Sequence, residues 1–276
     1  MKKKYLPPIL IIGYNRLNKI NNLINIIKKV KKVKTLYFKI DGPKNKFDEI
    51  KNKKIKNLLS EFKKKSRIKI NIKIEKKNIG LKKNIISGVN WSFEKEKKLI
   101  ILEDDNIPSI SFFYFCKKML DIYENNTKIM HISGTAFLKN KPQDDYFFSK
   151  LADCVGWATW KSSWKKMVGD FNLNKVLDNK EFSNYFNSKK EKIWFSEYLF
   201  REINTEQGKC LWTTWWQLSI IKQNAFCINP KKNLVTHDGY NINDNPEHYN
   251  EKAKLKNNYK NQDILVSKLK KKKNRI

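Results

Sequence analysis

The first half of the chain alternates between short apolar runs and longer stretches with apolar residues at helical spacing. The apolar runs, one of them with period-two alternation, predict β-strands at Pro8–Gly13, Thr35–Ile40, Arg67–Ile74, Leu99–Leu102 and Lys128–Ser133. The longer stretches predict amphipathic helices at Leu17–Val30, Lys46–Lys65, Asn78–Phe93 and Ser109–Tyr123. Because this alternation is typical of a mainly parallel sheet covered by helices on both faces, we predict a three-layer α/β/α sandwich.

The regular alternation stops after about residue 150. Helices are predicted there around Trp157–Val168, Leu177–Phe186, Ile193–Asn204 and Trp212–Lys222, followed by an apolar stretch at Ala225–Ile228. The segment 251–276 is polar, basic and without periodicity, which predicts a frayed or surface-associated tail. We therefore predict one domain over residues 1–250, divided into halves at residues 1–135 and 136–250, and a basic C-terminal tail.

The chain of 276 residues is strongly basic, with 59 Lys and Arg against 27 Asp and Glu and a formal net charge of +32. Such a charge is common in nucleic-acid binders, but only four of the basic residues are Arg, which base readers and phosphate clamps favour. The excess divides as +23 over residues 1–100, +1 over residues 101–250 and +8 over residues 251–276. We therefore expect no nucleic-acid partner.

Membrane-spanning and disulfide-rich classes are excluded by the apolar runs and the cysteines. No apolar run approaches the roughly 20 residues that a membrane helix needs. Cys116, Cys154, Cys210 and Cys227 are far apart and form no C-x-x-C pair, which favours reduced thiols in a cytoplasmic protein. The basic tail, with its Leu and Val residues, suggests weak contact with anionic lipid at the inner membrane face.

Two groups of carboxylates follow predicted strands, at the edge of the sheet where α/β proteins bind ligands. Asp41 follows the second strand, and Glu103, Asp104 and Asp105 follow the strand Leu99–Leu102. Three adjacent carboxylates repel one another unless a cation lies among them, and oxygen ligands of this kind suit Mg²⁺ or Mn²⁺. The alternatives are a solvated acidic turn or the N-terminus of a helix.

The segment LIILEDDNIPSISFFYF resembles the metal-binding segment of nucleotide-sugar glycosyltransferases of the GT-A fold. PPILIIGYNR, YFKIDGPKN and NIGLKKNIISGVNWSF resemble the first strand, the second strand and the following helix of that family. DCVGWATWKSSW resembles the acceptor-side loop, and CLWTTWWQLSIIKQNAFCINPKKNLVTHDGYN the closing helix, strand and loop. The similarity covers residues 6–242 and is greatest to the group with N-acetylglucosaminyltransferase I and bacterial surface-glycan transferases.

The resemblance implies a role for each matching residue in the first half, the nucleotide-binding half. Asp41 would contact the nucleoside, with Asn15 and Arg16 beside it, although a turn-forming Asp and a helix N-terminus are the alternatives. Asp105 would ligate Mn²⁺ or Mg²⁺, while Glu103 and Asp104 would contact ribose, donor sugar or bound water. The cation would neutralise charge on the departing nucleoside diphosphate.

The resemblance also implies roles in the second half, the acceptor-side half. His237 would supply a second metal ligand or a phosphate donor, and a structural His is the alternative. Gly156 and Trp157 would approach the donor sugar or the acceptor, because Trp faces stack on pyranose rings. Trp160 and Trp164, at helical spacing, are expected in the core, and His131 and His248 are expected to be structural.

One departure from the family concerns the general base of an inverting transferase. Relatives place an Asp in a W-D-x-x-W or W-D-D-W segment, whereas this chain has Thr213 and Thr214 between two Trp residues. Glu197, Glu206 and Asp153 are the alternative bases, so the catalytic residue stays open. An unusual acceptor or a catalytically impaired protein would also account for the two Thr residues.

We therefore expect a metal-dependent, inverting glycosyltransferase that moves a sugar from a nucleotide-sugar donor to a glycan or lipid-linked acceptor. Bacterial surface polysaccharide or lipopolysaccharide assembly is the process that the resemblance implies. A non-catalytic nucleotide- or glycan-binding relative is the alternative, motivated by Thr213 and Thr214. A basic protein of nucleic acid or membrane surfaces is a third class, motivated by net charge alone.

Overall fold

The structure is a computed structural model of the chain. It describes residues 5–136, 143–167, 180–204, 212–238 and 269. The described strands are β1 Ile9–Gly13, β2 Thr35–Ile40, β3 Lys69–Ile74, β4 Lys98–Glu103, β5 Asn106–Pro108, β6 Ile129–Ser133, β7 Tyr146–Ser149, β8 Trp157–Trp160, β9 Phe226–Pro230 and β10 Val235–His237. The described helices are α1 Leu17–Lys29, α2 Lys46–Lys65, α3 Leu81–Phe93, α4 Ile110–Ile122, α5 Lys161–Trp164, α6 Lys180–Asn184, α7 Lys189–Asn204 and α8 Trp212–Lys222.

An eight-stranded sheet with the order β3-β2-β1-β4-β8-β6-β9-β7 forms the centre of the protein. Strands β3, β2, β1 and β4 run parallel, β8 lies antiparallel between β4 and β6, and β9 runs parallel to β6. Strand β7 is antiparallel to β9. Strands β5 and β10 form a separate antiparallel pair. The prediction of an α/β protein with a mostly parallel central sheet is confirmed.

Helices cover both faces of this sheet. The side chains of β1, which alternate between the two faces, show this. Ile9 and Ile11 pack with α1, α2 and α4, whereas Leu10 and Ile12 pack with α3 and α8. All four side chains are buried because successive residues of a strand point to opposite faces. A continuous apolar run in β1 therefore reflects a strand covered by helices on both sides.

The helix predicted over Trp157–Val168 is wrong at its start. Trp157–Trp160 is strand β8, in the middle of the sheet, and the helix that follows covers only Lys161–Trp164. Trp157 belongs to the core on the α3 side, whereas Trp160 belongs to the core on the α1 side. Residues three apart lie on one face of a helix but on opposite faces of a strand, so their spacing suggested the wrong element.

Other boundaries in the second half also differ from the prediction. The helix predicted over Leu177–Phe186 is described from Lys180, and α7 begins at Lys189, before the predicted Ile193. The apolar stretch Ala225–Ile228 lies mostly in strand β9, and the sequence patterns gave no prediction for β5, β7 or β10. These three strands have four residues or fewer, too few for a period to be recognised.

The predicted tail, residues 251–276, lies outside the described residues except for Leu269. The Leu269 side chain is 3% exposed and belongs to the main hydrophobic core. The tail is therefore not frayed at this residue, and the surface-associated alternative stays a prediction. No helix in the part of the chain that the structure describes is both long and apolar enough to cross a membrane.

Candidate active site

The candidate active site lies at the carboxyl edge of the sheet, the edge at which the parallel strands β1, β2, β3 and β4 end. Strands β1 and β4 are neighbours, with Ile12 opposite Glu103. The loop after β1 therefore lies beside the turn after β4. Strand β5 follows that turn directly and pairs with β10, which places His237 opposite Asn106. The loop after β1, the turn after β4 and strand β10 thus meet at one point, although they are distant in the chain.

Arg16 provides the positive charge among the carboxylates. Its Nη2 contacts Asp104 Oδ1 and lies 3.0 Å from Asp105 Oδ2, and its Nε lies 3.2 Å from Asp104 Oδ2. The Arg16 side chain is 24% exposed, whereas that of Asp104 is only 2% exposed. A planar guanidinium can bond two carboxylates at once, so Arg16 compensates charges that burial would otherwise disfavour.

The three carboxyl groups differ in their affinity for protons. Burial, together with the charges of Asp105 and Asp104, raises the pKa of Glu103 to about 8. Burial also raises the pKa of Asp104, although the charge of Arg16 opposes this effect. Burial acts on Asp105 in the same direction, but His237 and Arg16 outweigh it and lower the pKa of Asp105. Asp105 is therefore the group that stays charged most readily.

Asp105 and His237 have the spacing of two metal ligands. His237 Nε2 lies 3.3 Å from Asp105 Oδ2, and adjacent ligands of an octahedral Mg²⁺ lie about 3 Å apart. Among the described residues no group of three or more His, Cys, Asp or Glu side chains is arranged for a metal ion. A cation held by this pair would need further ligands, such as phosphate oxygens and water. Such a cation would share Asp105 Oδ2 with Arg16.

Asn106 joins the turn after β4 to the loop before β8. The sequence patterns gave no indication of the role of Asn106. Its Oδ1 accepts hydrogen bonds from the backbone N–H of Glu103, at 2.9 Å, and of Gly156, at 3.0 Å. Its Nδ2 donates to Asp105 Oδ1 over 3.2 Å. One buried amide thus fixes the end of β4, the Asp105 carboxylate and the chain before β8.

Asn15 does not lie free at the site but bonds to Asp48 at the start of α2. Asn15 Nδ2 donates to Asp48 Oδ1 over 2.7 Å, and the Tyr14 hydroxyl donates to Asp48 Oδ2. The Asp48 backbone N–H in turn donates to Asn45 Oδ1, which caps the helix. The Asn-x-x-Asp spacing at a helix start resembles a capping box and is the signal that sequence reasoning missed. Asp48 therefore holds the loop that carries Arg16.

Asp41 is 4% exposed, and both of its carboxylate oxygens accept hydrogen bonds. The donors are the backbone N–H groups of Gly42, Ile79 and Gly80 and the side chain of Asn78, at 2.8 to 3.1 Å. These bonds join the loop after β2 to the loop before α3, which matches the alternative of a turn-forming Asp. The nucleoside contact of Asp41 stays a prediction.

Gly156 allows close packing of the protein backbone rather than the approach of a sugar. Its φ of +62° favours glycine, and a Cβ there would lie 2.8 Å from Val235 Cγ2. Its carbonyl oxygen accepts the Gly134 N–H over 2.7 Å. Strand β10 therefore occupies the space beside the Gly156 Cα, and the approach of Gly156 to a donor sugar or an acceptor stays a prediction.

Trp157 also differs from the expectation, because its ring is 1% exposed. It stacks on His131 and on Trp212, with ring centroids 5.4 Å apart in each pair. Trp164 and Trp216 complete the cluster, with centroids about 6 Å from that of Trp157. The structure places this indole in the core, so a direct stack of Trp157 on a sugar ring is not supported.

His131 is buried and structural, as expected. Its Nδ1 accepts from Trp216 Nε1 over 3.1 Å, and its Nε2 lies 2.9 Å from the Asp153 carbonyl oxygen. Burial lowers the pKa of His131 to about 4, so the imidazole is neutral near pH 7. His131 and Ser133 together hold the backbone of Asp153 in place.

The three alternative bases occupy different environments. Asp153 is half-buried before Gly156, and its Oδ1 accepts the Val155 N–H over 3.0 Å. Burial raises the pKa of the neighbouring Cys154 thiol, and the charges of Asp153 and Glu103 add to this effect. Glu197 is exposed on α7, and Glu206 and His248 lie outside the described residues.

Helix α8 begins with the segment that departs from the family. Trp212 and Thr214 are buried, whereas Thr213 and Trp215 are half-buried. Lys82 on α3 lies over the Trp215 ring, 3.1 Å from its centroid. Cys116, Cys154 and Cys227 are free thiols, and Cys210 lies outside the described residues.

No protein-family model and no curated protein matches this chain. The geometry of the site and the sequence resemblance therefore carry the functional argument.

Proposed function

We propose that the protein is a GT-A glycosyltransferase that transfers a sugar from a nucleotide-sugar donor to a glycan or lipid-linked acceptor. The observation that carries the proposal is the meeting of Arg16, Asp104, Asp105 and His237 at the carboxyl edge of the sheet. Ligands of open α/β sheets bind at this edge. Residues 1–135, the proposed nucleotide-binding half, contain the parallel strands β1 to β4. Assembly of a bacterial surface polysaccharide or lipopolysaccharide is the proposed process.

Asp105 and His237 would hold Mn²⁺ or Mg²⁺, with the donor diphosphate completing the coordination. When bound, the cation supplies charge neutralisation to the departing nucleoside diphosphate. Arg16 adds a second positive charge beside the same carboxylates, and buried Asp104 orients its guanidinium. Asp48 keeps the Arg16 loop in place through Tyr14 and Asn15. With the cation bound, the cation and Arg16 together would offset the charge of the carboxylates and of the diphosphate.

We propose Asp153 as the base, one of the three alternatives. Asp153 lies three residues before Gly156, and its backbone carbonyl is held by His131 and Ser133. In an inverting transfer this carboxylate would remove the proton of the acceptor hydroxyl as that oxygen bonds to the sugar carbon and the nucleoside diphosphate leaves. Glu197, by contrast, is exposed on α7.

The test is release of nucleoside diphosphate from a panel of uridine- and guanosine-diphosphate sugars with Mn²⁺. We expect Asp105→Asn to lower the rate at least about a hundredfold, because it removes a charged ligand. Asp145→Asn is the matched control, because Asp145 is exposed in the turn before β7. Release by Asp105→Asn at the wild-type rate would contradict the metal assignment. No release from any donor by the wild type would contradict the enzyme proposal.

A second candidate function is binding of a nucleotide or glycan without turnover. Thr213 and buried Thr214 favour it, because neither hydroxyl has useful basicity at neutral pH. Calorimetry distinguishes the two functions. Mn²⁺-dependent binding of a nucleoside diphosphate, with no turnover over the donor panel, would support the binding protein.

A further inference from the structure

The starts of α2 and α3 both lie on the surface at the carboxyl edge of the sheet, at the ends of the two opposite helical layers. Both helices follow parallel strands, β2 and β3, so their N-terminal ends lie at the same edge. The loops before them are in contact, because the Asn78 N–H donates to the Pro43 carbonyl over 3.3 Å. Through Asp48, the start of α2 also bonds to the loop of Arg16. The surface therefore borders the candidate active site.

Three large apolar side chains are exposed on this surface, which we call the amphipathic rim. Phe47 is 65% exposed, Ile50 is 58% exposed and Leu81 is 51% exposed. Phe47 and Ile50 are three residues apart on α2 and therefore lie on the same side of the helix. Single exposed apolar residues are ordinary, but such a group at one edge indicates a surface that contacts something.

Lysines surround these apolar side chains. The lysines of the amphipathic rim are Lys44, Lys46, Lys51, Lys76 and Lys77. The acids of the same segments are largely engaged within the protein, since Asp48 is buried and Glu75 pairs with Lys39. Glu49 is the exposed acid there. The amphipathic rim therefore combines positive charge with apolar contact groups.

We propose that the amphipathic rim docks on an anionic phospholipid bilayer. Phe47, Ile50 and Leu81 would enter the interface between headgroups and acyl chains, while the lysines bind anionic headgroups. A nucleic acid would use the charge but would leave the aliphatic side chains of Ile50 and Leu81 without a role. Docking in this way turns the carboxyl edge, and the candidate active site, toward the membrane surface. The inference does not depend on the proposed function, although it suits a lipid-linked acceptor.

Sedimentation of the full-length protein with vesicles tests the proposal. The probes are mixed phosphatidylglycerol and phosphatidylcholine vesicles, and phosphatidylcholine vesicles alone. We expect binding to the anionic vesicles that weakens as salt increases, with little binding to the neutral ones. Phe47→Ser/Ile50→Ser and Lys46→Gln/Lys76→Gln/Lys77→Gln should each weaken the partition coefficient about tenfold or more.

Two matched variants control for general loss of apolar surface or charge. Ile193→Ser/Phe200→Ser removes two apolar side chains from α7 that are 48% and 56% exposed, similar to Phe47 and Ile50. Lys63→Gln/Lys64→Gln/Lys65→Gln removes three lysines from the far end of α2. Both control variants should bind anionic vesicles within about twofold of the wild type. Deletion of residues 251–276 is a poor control, because Leu269 packs in the core.

The outcomes separate this proposal from the enzyme proposal. Failure of the wild type to bind anionic vesicles would overturn docking, as would equal binding by the rim variants and the controls. Binding of an oligonucleotide through the same lysines, with none to vesicles, would overturn it in favour of nucleic acid. Donor release without lipid is the independent measurement, and Phe47→Ser/Ile50→Ser should leave it unchanged. Absence of donor release would contradict only the proposal that the protein is a glycosyltransferase, and not the proposal that it docks on a membrane.

Discussion

His237 Nε2 lies 3.3 Å from Asp105 Oδ2, although the two residues come from distant parts of the chain. The antiparallel pairing of β5 with β10 produces this contact, and the Asp238 N–H also donates to the Asp105 carbonyl over 2.9 Å. A backbone ladder of only three residue pairs thus fixes the separation of the two proposed ligands. The proposed metal site would depend on the integrity of this small sheet as much as on the ligands themselves.

Arg16→Ala should destabilise the protein by about 3 kcal/mol, because it leaves the buried carboxylate of Asp104 without its counterion. Urea unfolding followed by circular dichroism measures the change. Arg67→Ala is the matched control, since Arg67 is exposed and its loss should cost less than about 0.5 kcal/mol. Equal midpoints for the two variants would contradict the role of Arg16 as an internal counterion.

Asp153→Asn should lower kcat about a hundredfold or more while donor affinity stays unchanged. Asn is nearly isosteric and its Oδ1 can still accept the Val155 N–H, so the variant removes basicity and keeps the local fold. Asp145→Asn is the control. A variant with the wild-type rate would show that another group is the base, with the transferase proposal intact.

Gly156→Ala should cost about 2 kcal/mol or more of stability, through backbone strain at φ +62° and a clash with Val235. The nearest atoms to a new Cβ are Val235 Cγ2 at 2.8 Å and Cγ1 at 3.0 Å. Removing them with Val235→Ala should reduce the cost of Gly156→Ala, and a double-mutant cycle by thermal unfolding measures this coupling. Additive effects of the two substitutions would contradict the packing role of Gly156.

His131 should make stability depend on pH between about 6.5 and 4. Burial lowers the pKa of His131 from 6.5 to about 4, so the unfolded chain binds a proton in this range and the folded protein does not. Its contribution to the free energy of unfolding is therefore present above pH 6.5 and decreases by up to about 3 kcal/mol as the pH falls to 4.

His131→Gln isolates this effect from the carboxylates, which titrate in the same range. The variant is expected to be less stable at pH 7, because Trp216 Nε1 and the Asp153 carbonyl lose their present partner. Its free energy of unfolding should nevertheless fall less steeply with acid. Parallel curves for wild type and variant, from urea unfolding at several pH values, would contradict a buried neutral His131.

The sequence alone determined the parallel half of the fold, because the information there is local. Strand Thr35–Ile40 and helix Lys46–Lys65 have the boundaries that their periodicity predicts. A buried strand needs a continuous apolar run, and a surface helix needs apolar residues on one side. The same local patterns placed Asp41 and the Glu103–Asp105 turn after strands, and hence at the carboxyl edge.

Only the tertiary structure decided which side chains meet at that edge. The pairing of Arg16 with Asp104, of Asn15 with Asp48 and of Asp105 with His237 depends on contacts between residues far apart in the chain. The three-residue strands β5 and β10 are too short to show a hydrophobic period. The spacing of Trp157 and Trp160 occurs in both helices and strands, so it does not identify the element. Burial against the whole core selects the strand, because only then do both indoles reach apolar surroundings on opposite faces of the sheet.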